Sequence, residues 1–308
     1  MSTFGVVSES FKHGLPQAAT TIDGAAVVQT KGNIWYVNAG QAVGSNGSGT
    51  SWTTAFMTMS EAFAVIKSGD VIFVSGFVRE QLVTPVNVFD VRVIGIGPRP
   101  RHADATPVGG NQATAAWGAP TSGAVSGQAT VRVLQQGWEF YDILFTMESA
   151  TAAGVELVRN AGAGDLERDA SHAVIRGCKF AGAGVGVRSG VAGLFTEIVH
   201  NAYIVSNTFL SNTTAISGIS GNNFQIEDNR FITCTNDIVL VSVGAKILYN
   251  AMSIAPTASI VLTGGSANGV HGNYLPGTYA AGVVYAPGTN DNWNGNYAST
   301  GVTAAVPA

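Results

Sequence analysis

The sequence predicts an all-β fold, a single-stranded parallel β-helix of about 22 residues per coil with a short helix at its N-terminal end. Three observations carry that expectation. First, Asn207, Asn229, Asn250, Asn273 and Asn296 recur at intervals of 22, 21, 23 and 23 residues. Cys178 in "IRGCKF" falls in the same column 29 residues upstream of Asn207, and Ile143 in "FYDILF" 35 before that. Second, apolar residues keep fixed offsets from the column. Phe140, Ile175, Ile204, Ile226, Ile247, Val270 and Trp293 stand three before it, and Phe145, Phe180, Phe209, Phe231, Met252, Leu275 and Ala298 two after it. Val187, Ile216, Ile238, Ile260 and Val283 follow nine or ten after. Third, these apolar runs are short and interrupted by Gly, Asn, Ser and Thr, so each coil is a set of brief strands joined by tight turns. Stacked coils bury a face that no single coil can bury alone.

The recurring Asn has a physical reason in that geometry. It tolerates the left-handed backbone that a sharp bend requires, and its amide can bond to the copies one coil above and below. A row of exposed amides that contacts sugar is the alternative. Core residues at minus three and plus two, with Cys178 and Ile143 in the column itself, favour an internal structural ladder.

Composition narrows the function classes. Hydrophobic residues make up 46% of the 308, ample for a core, while charged residues are only 11% and 39 glycines share the surface with Ser, Thr and Asn. A net charge of -4 without a Lys/Arg run excludes nucleic-acid wrapping, which rests on clustered cations. The opening "MSTFGVVSESFKHGLPQ" has neither a basic n-region nor an apolar h-region, and no stretch is long enough to cross a membrane, so the chain is expected to fold where it is made. Two cysteines, Cys178 and Cys234, make neither a disulfide framework nor a CxxC metal site, and no metal or cofactor is expected.

Along the chain, residues 1–32 lie outside the repeat and read as an arm or virion anchor, 33–70 as the opening of the β-helix with its capping helix, and 71–308 as the β-helix proper. Loops are expected near 99–128, 159–171 and 189–201. Within 33–70, "MTMSEAFAVIKSG" sets Met59, Ala62, Phe63 and Ile66 at helical spacing, Thr58 and Glu61 as a capping box and Gly69 as a stop. Such a helix would cover the end of the first coil.

The segment "WYVNAG…GTSWTTAF…EAF…GDVIFVSGFVRE", followed by "VRVIGIGPRPRHAD", resembles the opening of pectate-lyase-like right-handed β-helix proteins. With "GWEFYDILF" and "ERDASHAVIRGCKF" it is similar, over roughly residues 33–240, to β-helix proteins encoded by tailed bacteriophages. The resemblance implies a right-handed coil and a virion protein, a class that includes tailspikes, tail-associated fibres and head spikes or capsid decoration proteins.

Polysaccharide cleavage is the enzymatic reading for such a fold, by hydrolysis or by lyase chemistry. Hydrolysis needs two carboxylates roughly 5–9.5 Å apart. From Cys178 onward the acids are Glu197, Glu227, Asp228, Asp237 and Asp291; the last four sit at minus two, minus one, plus eight and minus five, and no two share a column in neighbouring coils. A lyase needs a Lys or Arg base, often with calcium on stacked acids. Lys179 and Arg230 share the plus-one column two coils apart and read as solvated charges. The remaining clusters are loop or interface candidates: Arg99, Arg101, His102 and Asp104 in "RPRHAD", and Asp165, Glu167, Asp169 and His172 in "GDLERDASH". Their charges are expected to pair among themselves. Trp117 reads as the tip of the long excursion, an apolar group without a core position that fits an interface or a sugar-stacking platform.

The expectation is therefore a structural virion protein of a tailed phage, assembled in the host cytoplasm and displayed on the particle as a β-helix homotrimer, a capsid decoration or head-spike protein. No catalytic residues are assigned. Its partners would be capsid or tail proteins, with no nucleic acid and no membrane. The alternative is a tailspike or tail fibre protein that binds, and in an enzymatic version cleaves, host surface glycan by lyase or glycoside hydrolase chemistry.

Overall fold

The computed structural model describes residues 19–22, 25–28, 32–40, 47–97, 115–147, 149–160, 168–189, 199–253, 257–262, 264–275 and 285–298. Three long sheets run the length of the molecule, one of ten strands and two of nine. From Val71 to Ala286 each coil contributes one strand to each sheet in turn, as Tyr203–Val205, Thr208–Leu210 and Thr214–Asn222 do, and successive coils pair in parallel. The chain is a right-handed parallel β-helix. Ala19–Ile22 and Ala25–Val28 pair antiparallel as a separate two-stranded sheet.

The apolar columns are the inside of the three walls. In the first sheet Phe140 pairs with Ile175, then Ile204, Ile226, Ile247, Val270 and Trp293 in unbroken register. In the second, Phe145, Phe180, Phe209 and Phe231 stack face to face, with ring centroids 5.1, 5.0 and 5.1 Å apart and planes within 9° of parallel. The coil spacing of roughly 4.8 Å imposes that distance, so identical rings one above another fill the core without voids. The third sheet aligns Val155, Val187, Ile216, Ile238 and Ile260, and it continues to Tyr285. Val283 lies outside the described residues.

Trp117 corrects the sequence expectation. Ala116–Gly118 is a strand of the second sheet, where Trp117 pairs with Val78 and Phe145. It is fully buried, its ring stacks on Phe145 at 6.1 Å, and its Nε1–H donates to the Glu80 carbonyl at 3.0 Å. Trp117 therefore heads the aromatic ladder. Its coil carries an insertion between the first-sheet strand Arg92–Gly95 and Ala116–Gly118, and that insertion hides the offset from Val93 to Trp117.

The helix Met59–Phe63 has the expected capping box, Thr58 with Glu61. Glu80 adds a second carboxylate to the same end, accepting from the Met59 and Ser60 N–H groups at 2.6 and 3.2 Å. Met59, Ala62 and Phe63 are buried, and Phe63 meets Trp117 and Trp138 edge-on at 6.1 and 5.5 Å. Between the first-sheet strands Ile34–Asn38 and Val71–Ser75, the helix stands where later coils place second- and third-sheet strands.

Candidate functional site

The Asn column is a closed hydrogen-bond ladder inside the wall. Asn207, Asn229, Asn250, Asn273 and Asn296 are at most 2% exposed. In each step the backbone N–H and the side-chain Nδ2 of one Asn both donate to Oδ1 of the next, as Asn229 does to Asn250 at 2.9 and 3.0 Å. Nδ2 also donates to the backbone carbonyl three places before the column in the preceding coil, Asn229 to Ile204 at 2.8 Å and Asn250 to Ile226 at 2.9 Å. Within the ladder both amide hydrogens and both oxygen lone pairs are used, so nothing is left over for a ligand. The ladder ends at Cys178, whose N–H donates to Asn207 Oδ1 at 2.9 Å. Ile143, fully buried one coil earlier, has no amide to continue it.

The left-handed residue is not the Asn. The positive φ lies one residue earlier in every coil: Asp142 (53°), Gly177 (67°), Ser206 (57°), Asp228 (52°), Tyr249 (54°), Gly272 (65°) and Gly295 (61°). Asn is needed for its amide, and the residue before it absorbs the bend.

Several of the described carboxylates serve the fold. Asp70 accepts from the Asn33 and Lys67 N–H groups and from Trp35 Nε1 at 2.6–2.8 Å. Asp228 accepts from Ser206 Oγ at 2.8 Å. Asp291 holds the Asn268 N–H and Nδ2 at 2.9 Å and the Gly288 N–H at 2.6 Å. Glu156, fully buried on the third sheet, lies in register between Arg132 and Arg188. Arg132 Nε reaches it at 2.5 Å and Arg188 Nη2 at 2.9 Å, while Arg188 also donates to the Thr151 and Gly127 carbonyls. Glu139 receives Arg92 Nε and the Tyr141 hydroxyl, both at 2.9 Å, and all three side chains are buried. Burial raises the Glu139 carboxyl above its usual range against the lowering effect of Arg92, a pattern often found in active sites. At 9% exposure or less for each residue, the trio has no surface for a polymer substrate.

The predicted loop candidates divide. Arg99, Arg101, His102, Asp104, Asp165 and Glu167 lie outside the described residues. Asp169 accepts from the Ser171 N–H at 2.9 Å and sits 3.9 Å from Arg159. His172, exposed and with a φ of 62°, bonds Asn201 of the next coil at 3.1 Å through Nε2. The two are each tied to a different partner. Lys179 is buried, not solvated, while Arg230 is exposed. Both cysteines are free and buried, and burial raises both thiols, Cys234 to about 12. Among the described residues no group of three or more His, Cys, Asp and Glu could hold a metal.

Sequence reasoning missed two features. A cleft of about 210 Å³, lined by residues that include Gln81, Val125, Gln128, Thr146, Met147 and Ser149, opens beside the second sheet and has no ionisable side chain in its lining. Its residues come from separate coils of unequal length, which hid it. Tyr249, Tyr274 and Tyr297 are 64%, 48% and 53% exposed near one corner of the last coils. The minus-one and plus-one columns of the same alignment would have found them.

A family model described as the right handed beta helix region matches residues 137–288. None of the curated proteins matches. Among solved structures, a lacto-N-biosidase from Eubacterium ramulus is similar with a TM-score of 0.49 and 11% identity, over 79% of this chain and 56% of that one. A pectin methylesterase from Aspergillus niger gives 0.47 and 14%, over 90% and 92%. A tailspike protein of Acinetobacter baumannii bacteriophage Fri1, a capsular polysaccharide depolymerase, gives 0.32 and 11%, over 88% and 60%. This chain thus spans little more than half the biosidase. These are likenesses of coil architecture and assign no activity.

Proposed function

We propose that this chain is a structural virion protein of a tailed phage, a rigid β-helix displayed on the particle surface as a homotrimer, in the role of a capsid decoration or head-spike protein. The supporting observation is where these carboxylates go: Glu61, Asp70, Glu80, Glu139, Glu156 and Asp291 cap backbone, pair with arginines or hold the wall, and the cleft beside the second sheet has no ionisable lining. The phage-like segments "VRVIGIGPRPRHAD", "GWEFYDILF" and "ERDASHAVIRGCKF" supply the virion context. In this reading residues 1–32 attach the chain to the particle, with capsid or tail proteins as its partners. Imaging of virions labelled with an antibody to this chain tests it. Label over the capsid surface is the expected result, and label confined to the tail tip overturns the decoration role. Purified protein incubated with host capsule or lipopolysaccharide is expected to release no oligosaccharide; release overturns the non-enzymatic reading.

A further inference from the structure

We infer that the corner between the first and second sheets in the last three coils is a binding surface for a neutral saccharide, with Tyr249, Tyr274 and Tyr297 as its stacking rings. Tyr274 and Tyr297 are register partners one coil apart, both pointing outward from the second sheet. They are separated along the axis by roughly 4.8 Å, about one pyranose length. Tyr249 occupies the bend one coil earlier, and its ring lies against Gly272: a Cβ there would stand 2.6 Å from two ring carbons. At the equivalent bend of the final coil, Gly295 has nothing within 4 Å of where a Cβ would be. The Tyr249 ring therefore covers Gly272, and the bend at Gly295 beside Tyr297 is left open.

Hydrogen-bonding groups line the adjoining edge of the first sheet. His271 Nδ1 and Asn294 Oδ1 are 2.7 Å apart, and Asn292 and Asn294 are exposed. A sugar ring has apolar C–H faces and hydroxyl edges, and aromatic rings beside amides and an imidazole complement both. Charge selects among saccharides. From Val241 to the C-terminus the sequence has Lys246 and Asp291 as its sole Asp, Glu, Lys or Arg residues. Asp291 is spent on the Asn268 and Gly288 bonds, and the exposed cations on these walls, Lys246 in the coil of Tyr249 and Arg230 two coils before Tyr274, are too few to draw in an acidic polymer. A second copy of the chain would meet the same face, but the polar Asn292 and Asn294 exposed on the adjoining sheet favour the sugar. The inference holds wherever on the particle the chain is displayed.

Calorimetric titration of the full chain with maltohexaose, chitohexaose and a short dextran, and with oligogalacturonate as the acidic control, tests this. Binding of at least one neutral oligosaccharide and none of the acidic one is expected. Tyr274→Ala and Tyr297→Ala are each expected to weaken that binding about tenfold, without changing the thermal midpoint, while Val86→Ala at a distant exposed site leaves it unchanged. Failure of all three neutral probes to bind overturns the inference. So does unchanged affinity in both tyrosine variants, or a change in sedimentation in place of sugar affinity, which would make the corner a contact between copies.

Discussion

The coils from residue 201 onward and the coils before 190 solve one problem in two ways. In the later coils the column is Asn at every turn and the amides are saturated by one another. In the earlier coils Ile143 and Cys178 hold it, insertions break the spacing, and the walls are tied by aromatic contacts inside and by Arg92–Glu139 and Arg132–Glu156–Arg188 outside. The difference shows what the amide is for. Where coils repeat regularly, one short polar side chain can bond up and down the stack. Where loops intervene between strands that still pair in register, large rings and multivalent ion pairs add to the hold between coils.

Several changes would break or sharpen this contrast. Phe180→Ala removes a ring stacked on Phe145 and Phe209 where the two regimes meet, and it is expected to cost about 4 kcal/mol, read by denaturant unfolding. Glu156→Gln leaves two guanidiniums around a neutral amide and is expected to cost about 3 kcal/mol. Because the carboxylate is buried, added salt should not restore the loss. Asn229→Leu orphans the Asn207 N–H, takes one of the two acceptors of Asn207 Nδ2 and one of the two donors to Asn250 Oδ1, and removes the side-chain donor to the Ile204 carbonyl, for about 2 kcal/mol. Ile143→Val in the same column upstream should cost only about 1 kcal/mol; equal losses at the two positions would erase the distinction between the regions.

The last expected effect is on pH dependence. Asp237 is fully buried on the third sheet with the Ser259 hydroxyl beside it, and burial pushes its pKa up to about 8 from 3.8 against the lowering effect of Ser259. The folded state then keeps a proton that the unfolded chain releases. Its contribution to stability is fully present below the unfolded value and is lost as pH rises through the folded one. The thermal midpoint should therefore fall from pH 4 to pH 8 and level off above, and Asp237→Asn should flatten that slope.

Much of this was legible in the sequence, and the failures have physical causes. The Asn column, the Phe ladder and the capped helix could be read because each depends on spacing along one chain segment. The left-handed residue was assigned to Asn when it lies one place earlier, because Asn, Asp, Ser and Gly all suit such a bend and the two positions are adjacent. Trp117 was misplaced because its coil carries an insertion, and Lys179 because charge outweighed its position next to a core Phe. The Glu156 pairing joins residues 24 and 32 apart across coils of unequal length, a relation no fixed period exposes.

Residue-resolved hydrogen exchange tests the central claim, that the amide ladder is buried structure and not a binding row. The backbone N–H groups of Asn207, Asn229, Asn250 and Asn273 each donate to the side chain of the next Asn at 2.9–3.0 Å. They are expected to exchange as slowly as the N–H groups of the Phe ladder, opening only with the whole coil stack. Exchange as fast as that of the exposed bends would contradict the account and return the amides to the surface.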